Sequence, residues 1–154
     1  MDLARQLWGD STVTRFICAS GAFSEEEIAA RLQTECTNGE RHGIQYWPVF
    51  ELATGRLAGC CGLRPFGETA GEVEFGVHLL PDFWGSGLAT EAGKAVMAYA
   101  VDTLGVSAIF AGHHPKNDAS RHMLTKLGFT YLGDRFYAPT GLMHPGYCYR
   151  PDRG

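Results

Sequence analysis

Residues 72–91, EVEFGVHLLPDFWGSGLATE, constrain the fold more than any other stretch of this 154-residue chain. Hydrophobic side chains stand at every second position from Val73 to Leu79, which is the period of a β-strand. Pro81 cannot donate a hydrogen bond to a neighbouring strand, so we expect the strand to end before it. After Gly87 the hydrophobic spacing becomes helical. The stretch therefore predicts a strand, a glycine-rich loop and the N-terminus of a helix.

A loop of this kind can bind an anion through its own backbone. Residues 84–87, WGSG, leave the backbone N–H groups accessible, and the positive end of the helix dipole points to the same place. The loop is not a Walker A motif, because five residues separate Gly87 from Gly93-Lys94 and Ala95 replaces the hydroxyl that binds Mg²⁺. It is not a dinucleotide fingerprint either, because Thr90 replaces the third glycine.

Two motifs together resemble the GNAT acetyltransferases, and more specifically their RimJ/RimL branch of ribosomal-protein N-acetyltransferases and relatives. Residues 81–92, PDFWGSGLATEA, are similar to the family's pyrophosphate loop, Gln/Arg-x-x-Gly-x-Gly/Ala, although Asp82 stands at its first position. Residues 117–129, NDASRHMLTKLGF, are similar to the branch's N-x-x-S-x-x-x-x-x-K-x-G-F. The resemblance covers residues 44–150. It implies an N-acetyltransferase that uses acetyl-CoA, releases CoA and acts on an amine.

The hydrophobic periods predict a single α/β (α+β) domain over residues 1–154, with a mixed central sheet of about six strands and helices on both faces. A capping box, Ser24 followed by Glu27, begins one helix, which we expect to end near Cys36, before Asn38-Gly39. The other helices are expected over 2–18, 88–104 and 118–127. The strands are expected over 44–52, 56–64, 72–80, 106–112, 129–138 and 147–150.

The GNAT resemblance implies the same architecture, except that the family's usual first strand does not precede the first helix: either it is missing, or residues outside 1–154 supply it. A missing strand would leave an open sheet edge at which a second subunit could pair to form a homodimer. Because a helix connects the strands over 72–80 and 106–112, these two strands should be parallel.

Composition excludes several classes of function. A net charge of −4 gives no basic surface for nucleic acid and would favour a basic substrate peptide. No apolar run approaches the roughly 20 residues of a membrane span. The five cysteines are scattered and odd in number, which argues against a disulfide framework and indicates a reducing cytoplasm. His113, His114 and His122 lack the spacing of zinc ligands, so we predict no metal.

The resemblance assigns the acetyl-CoA site to the end of the 72–80 strand, the loop and the later Asn117 motif. The pantetheine arm is expected to add alongside His78-Leu79-Leu80, where this strand and the one near residues 109–112 separate. A backbone N–H near Leu79 would stabilise the oxyanion. Asn117 could bind the cofactor, cap the helix, or both. The expected cofactor-binding residues are His78, Leu79, Leu80, Trp84, Gly85, Ser86, Gly87, Leu88, Ala89, Thr90, Asn117, Ser120 and Arg121.

Glu74 is the candidate general base. A carboxylate on a central strand is costly unless it lines a wet cleft or is paired. By resemblance, Glu74 matches the glutamate of the branch's A-E-I-G-Y and would act through water; alternatively it forms a structural ion pair with Arg64. The tyrosine that protonates the leaving thiolate in many GNATs is replaced here by Leu124. The pattern offers Ser120 instead, as proton donor or as a helix-capping hydroxyl, with Tyr137 and His78 as further candidates.

Two kinds of function therefore remain open. The first is direct acetyl transfer, without an acyl-enzyme, to a primary amine, which is either a protein N-terminal amine or a small-molecule amine. Cys60 and Cys61 are predicted to be core residues of a strand, which leaves no cysteine for covalent catalysis. The alternative is a non-catalytic acyl-CoA-binding or sensor module, which would keep the loop and Asn117 but would not need Glu74. A purely structural domain would bind no cofactor.

Overall fold

The computed structural model describes residues 1–152 and 154. It contains one six-stranded mixed sheet in the order β1-β2-β3-β4-β6-β5, with helices on both faces, as predicted. The helices are α1 (Asp2–Trp8), α2 (Ser11–Thr14), α3 (Glu25–His42), α4 (Leu88–Ala98) and α5 (Asp118–Lys126). The strands are β1 (Tyr46–Phe50), β2 (Leu57–Pro65), β3 (Glu72–Leu79), β4 (Ala108–Gly112), β5 (Thr130–Tyr137) and β6 (Leu142–Tyr149). A 3₁₀ turn at Pro81–Phe83 precedes α4, and a π-helical turn at Tyr99–Thr103 continues it. Over the described residues, no helix has the length and apolar character needed to span a membrane.

The predicted parallel pair is β3 and β4, and it is short. The two strands pair only where Glu72–Glu74 lies opposite Ala108–Phe110. Beyond Glu74, β3 continues along β2 as far as Leu79, whereas β4 pairs with β6 on its other edge. The two parallel strands therefore separate in the middle of the sheet.

Each face of the sheet has its own hydrophobic core. The core beneath α4 and α5 includes Val73, Phe75, Met97 and Leu124. The core beneath α1, α2 and α3 includes Leu7, Trp8, Ile28, Tyr46 and Cys60. Because side chains alternate along a strand, Val73 and Phe75 face α4, whereas Glu74 and His78 face the side of α1 and α3.

Helix α3 is longer than predicted. It passes through Asn38-Gly39 and ends at His42, where Gly43 adopts the left-handed conformation (φ 68°) that commonly closes a helix. Gly39 has a different purpose, since a Cβ atom there would lie 2.6 Å from Oε1 of Gln45. The asparagine–glycine pair therefore marks a close contact and not a helix end.

Strand β6 begins at Leu142, whereas the sequence predicted a loop up to Pro145 and a strand only from Tyr147. Pro145 lies opposite Asp134 of β5, but β4 ends at Gly112, opposite Gly146. On the side of β6 that faces β4, no strand lies opposite Pro145. The N–H that proline lacks is therefore not needed for a hydrogen bond there. The sheet edges are β1 and β5; the pairing of a second subunit at an edge stays a prediction.

Candidate active site

The gap between β3 and β4 opens into a cleft of about 760 Å³. The backbone N–H of Leu80 donates to the carbonyl of Ala58 in β2, at 2.8 Å. Hydrogen-bonding directions alternate along a strand, so the N–H and C=O of the preceding residue, Leu79, point away from β2 and toward the gap. A peptide-like ligand in the gap would meet this N–H as it would meet the edge of a sheet.

The glycine-rich loop lies between β3 and α4, as its sequence predicts. Gly85 and Gly87 have φ angles of 71° and 79°, and a Cβ atom on either would meet no heavy atom within 4 Å. Gly87 is the N-cap of α4, whose first backbone N–H groups therefore lie at the cleft. Within the loop, the Ser86 hydroxyl donates to the Phe83 carbonyl at 2.6 Å, and the Trp84 indole donates to the Leu79 carbonyl at 2.8 Å.

The start of α5 forms the opposite wall. Asn117 caps this helix through its Oδ1 atom, which accepts the backbone N–H of Ser120 at 3.2 Å. The residue that caps α5 is thus Asn117 and not Ser120. Ser120 lines the cleft. Leu124, at the position of the family's tyrosine, is buried in the core beneath α4 and α5.

Most of the predicted cofactor residues come together in this cleft, and three do not line it. Leu80 directs its N–H to β2, Ser86 forms the internal bond of the loop, and Arg121 forms an exposed ion pair with Asp118 at 3.3 Å. The predicted residues that line the cleft are Glu74, His78, Leu79, Trp84, Gly85, Gly87, Leu88, Ala89, Thr90, Asn117 and Ser120.

Glu74 lies in the cleft wall, and burial raises the pKa of its carboxyl despite the opposing charges of Arg64 and Arg135. Arg64 is its direct cross-strand neighbour. The predicted ion pair between them is nevertheless not formed, because the Arg64 guanidinium donates instead to Oε1 of Glu35, with its Nε at 2.7 Å. Glu74 is thus a desolvated carboxylate whose strongest nearby cation has another partner.

Glu35 does not line the cleft but pairs with Arg64, which does, and the sequence analysis missed it. Its side chain is buried, and its second oxygen accepts the backbone N–H of Tyr46 at 2.8 Å. One signal was available, since Glu35 follows Ile28 and Leu32 at helical spacing and so stands on the apolar stripe of α3. A carboxylate at such a position needs a buried partner, which here is Arg64.

His78 is held neutral. Its Nδ1 atom accepts the indole N–H of Trp8 at 3.1 Å, which leaves the proton on Nε2. Burial, together with the charges of Arg31 and Arg64, lowers the pKa of His78 to about 3. His78 can therefore donate a hydrogen bond in the cleft near neutral pH, but it does not carry a charge there.

Cys60 and Cys61 offer no thiolate, and His113 is bonded within the protein. Cys60 and Cys61 are buried, as predicted, and burial raises the pKa of each thiol to about 12, so both stay protonated. His113 bonds to the His114 carbonyl at 2.7 Å and to the Tyr147 hydroxyl at 3.1 Å. Among residues 1–152 and 154, no three histidine, cysteine or acidic side chains are grouped to hold a metal ion.

Comparison with known proteins identifies the family. A family model described as an acetyltransferase (GNAT) domain matches residues 1–130. The chain belongs to the GNAT acetyltransferases. This GNAT domain is similar to an uncharacterised N-acetyltransferase of Bacillus subtilis, with 29% identity over 127 residues that span 82% of this chain and 71% of the relative.

Solved structures of other GNAT proteins share its fold. An acetyltransferase from Agrobacterium tumefaciens superposes with a TM-score of 0.80 at 20% identity, over 97% of this chain and 84% of the other. A ribosomal-protein-S5-alanine acetyltransferase from Vibrio fischeri superposes with a TM-score of 0.77 at 16% identity, over 92% and 81%. At these identities the likeness concerns the fold, and the RimJ/RimL branch stays a prediction.

Proposed function

We propose that this GNAT domain transfers an acetyl group from acetyl-CoA directly to a primary amine. The observation that carries the proposal is the convergence of three features in one cleft. These are the unpaired edge of β3 at Leu79, the open glycine loop at the N-terminus of α4, and the desolvated carboxyl of Glu74. The five free thiols fit a reducing compartment, so the proposal extends to the cytoplasm.

The residues present fit acetyl-CoA. The space above Gly85 and Gly87, where a Cβ atom would meet nothing, lets a pyrophosphate approach the backbone N–H groups of the loop and of α4. The N–H and C=O of Val77 and the N–H of Leu79 border the gap in which the pantetheine arm would lie. When bound, the thioester supplies an activated acetyl group.

Each catalytic task has a candidate group. Glu74 takes a proton from the amine, directly or through water, as the C–N bond forms. The N–H of Leu79 stabilises negative charge on the acetyl oxygen. Ser120, near the N-terminus of α5, donates a proton to the sulfur as the C–S bond breaks and regains one from water, so that CoA leaves as a thiol.

The experiment is a titration of the protein with acetyl-CoA and with CoA by isothermal calorimetry, followed by assays of thiol release with a panel of amines. Glu74→Gln should keep acetyl-CoA binding and lose about 10²- to 10⁴-fold in kcat, which is the range for loss of a general base. The matched control is Glu72→Gln, on the same face of β3 but outside the cleft lining.

The control variant should keep its activity. If acetyl-CoA binds but no amine is acetylated, the chain is an acyl-CoA-binding module and the catalytic proposal is wrong. If neither acetyl-CoA nor CoA binds, the assignment of the loop is wrong as well.

A further inference from the structure

Besides Arg15, which follows α2, three arginines line the cleft that holds Glu74. They are Arg31 from α3, Arg64 from β2 and Arg135 from β5. Asp118, the other acidic side chain of the described cleft lining, belongs to α5 and pairs with Arg121. The wall that an amine acceptor would meet is therefore rich in positive charge, although the chain as a whole carries a net charge of −4.

Two of the three charges are not neutralised by the protein. Arg64 is paired with the buried carboxylate of Glu35. The ion pairs of the described residues include neither Arg31 nor Arg135. Among these three arginines, those without a paired acid are thus Arg31 and Arg135; Arg15, which also lines the cleft, is in none of the ion pairs of the described residues either.

Arg31 is held in place by aromatic rings and not by an acid. Its guanidinium lies 5.1 Å from the ring centroid of Trp8 and 5.0 Å from that of Phe23. Its Nε atom is buried and has no hydrogen-bond partner within the described part of the chain. Burial and the nearby Arg64 lower the pKa of Arg31, which reflects a charge that lacks a counter-ion. A buried donor left unpaired is costly, so a ligand that pairs with it gains affinity.

Arg135 also lies over an aromatic ring, and its charge acts on Glu74. Its guanidinium lies 5.1 Å from the ring centroid of Phe66, and Phe66 stacks on Phe110 with the ring centroids 4.2 Å apart. Phe110 is the last residue of β4 that pairs with β3, opposite Glu74 itself. Arg135 thus lies near the candidate base from β5, and Arg31 lines the same cleft from α3.

We propose that the acceptor is a primary amine that carries a carboxylate near its nitrogen, and that Arg31 and Arg135 bind this carboxylate. The inference rests on the proposed function and names its substrate class. The amine would reach Glu74 while the carboxylate supplies the counter-ion that the wall lacks. Such an acceptor could be an amino acid or a peptide N-terminus with an acidic second residue. A polyamine would instead place a second positive charge among the arginines.

The test compares acceptors that differ only in charge. One arm uses an ω-amino acid, its amide and the diamine of equal length, for example 4-aminobutyrate, 4-aminobutanamide and 1,4-diaminobutane, together with α-amino acids and their amides. A second arm uses peptides with Glu, Gln or Lys at position two. Acetylation rates give kcat/KM, and calorimetric titration of each amine into the protein saturated with CoA gives affinity without turnover.

The carboxylate should be preferred to its amide by about tenfold or more in both measurements, which is the effect of one charge-assisted hydrogen bond. Arg31→Gln and Arg135→Gln should each reduce this preference without weakening acetyl-CoA binding. Arg31→Lys, which keeps the charge, should retain part of it. Arg41→Gln, on the exposed part of the same helix, is the matched control and should change nothing.

The outcomes separate the two proposals. Equal or faster acetylation of the amides or diamines would overturn the substrate class and leave the acetyltransferase proposal standing. Binding of acetyl-CoA without acetylation of any amine would overturn both. A preference seen only in the peptide arm would identify a protein N-terminus as the source of the carboxylate, and one seen only in the first arm would identify a small amino acid.

Discussion

The indole N–H of Trp84 donates to the carbonyl oxygen of Leu79 at 2.8 Å, which ties the glycine-rich loop to the last residue of β3. The N–H of Leu79 points into the gap between the parallel strands, on the same edge as that carbonyl. The Trp84 side chain therefore holds the Leu79 N–H in a fixed orientation relative to the glycine-rich loop. We assign this N–H to the oxyanion and the loop to the pyrophosphate.

Trp84→Phe should lower kcat by about tenfold, while acetyl-CoA affinity should change by no more than a few fold, because it removes a positioning hydrogen bond and keeps the ring. Steady-state kinetics and calorimetry measure the two effects separately. Trp47→Phe is the control, since Trp47 packs edge-on against Tyr99 at 5.7 Å, away from the cleft. An unchanged kcat in Trp84→Phe would show that the bond has no positioning role.

Gly87→Ala should weaken acetyl-CoA binding by more than tenfold and destabilise the fold by about 1 kcal/mol, because alanine resists the left-handed conformation. Gly55→Ala is the matched control, since Gly55 has a similar φ of 70° and open space but lies in the β1–β2 turn. It should show the loss of stability without the loss of binding. Equal effects of the two variants on acetyl-CoA affinity would contradict a ligand-binding role for the loop.

Glu74→Gln should stabilise the protein at neutral pH. Burial raises the pKa of this carboxyl in the folded state, so the folded protein binds the proton more tightly than the unfolded chain. The free energy of unfolding therefore falls as the pH rises from the pKa of Glu74 in the unfolded chain to its pKa in the folded protein. It stays lower at every pH above that range. Glutamine lacks the titration, so the midpoint of thermal unfolding should rise at pH 7–8, and the gain should shrink toward pH 4.

The same measurement separates the two roles that the sequence left open for Glu74. A structural ion pair with Arg64 would make the glutamine variant less stable at neutral pH. If the variant is more stable but has a lower kcat, Glu74 lowers the stability of the folded protein and is needed for catalysis.

Glu35→Gln should destabilise the protein by about 3 kcal/mol, because it leaves Arg64 without its buried counter-ion. Urea unfolding measures the change. Glu25→Gln, at the start of the same helix, breaks an exposed ion pair with Arg5 and should have a much smaller effect. A loss in Glu35→Gln no larger than in this control would contradict a structural role for the buried pair.

The sequence predicted the features of the site that depend on local chemistry. The alternation in β3, the glycine-rich loop before α4 and the Asn117 cap are properties of neighbouring residues, and the structure has all three. The strand separation was expected from the resemblance, and the short ladder that ends at Glu74 confirms it. The identification of the GNAT family followed from the same local motifs.

What the sequence could not predict depends on contacts between distant elements. Gly39 is typical of a helix end until Gln45 is seen packed against it, and the apolar stripe of α3 shows that Glu35 needs a buried partner but not that this partner is Arg64. The charge of the cleft wall also depends on which distant elements the fold brings together. A net charge of −4 suggested a basic substrate, whereas the folded wall brings Arg31 and Arg135 together from opposite ends of the chain.

The early end of the β3–β4 ladder also divides the amides of one strand into two populations. Gly76 and His78 direct their N–H groups to β2, whereas Val77 and Leu79 direct theirs into the gap. In hydrogen–deuterium exchange, protection along this strand should therefore alternate residue by residue, with slow exchange at the first pair and fast exchange at the second. A ligand that adds alongside β3 would remove the alternation by slowing Val77 and Leu79 alone, so the exchange pattern of four amides reports occupancy of the gap.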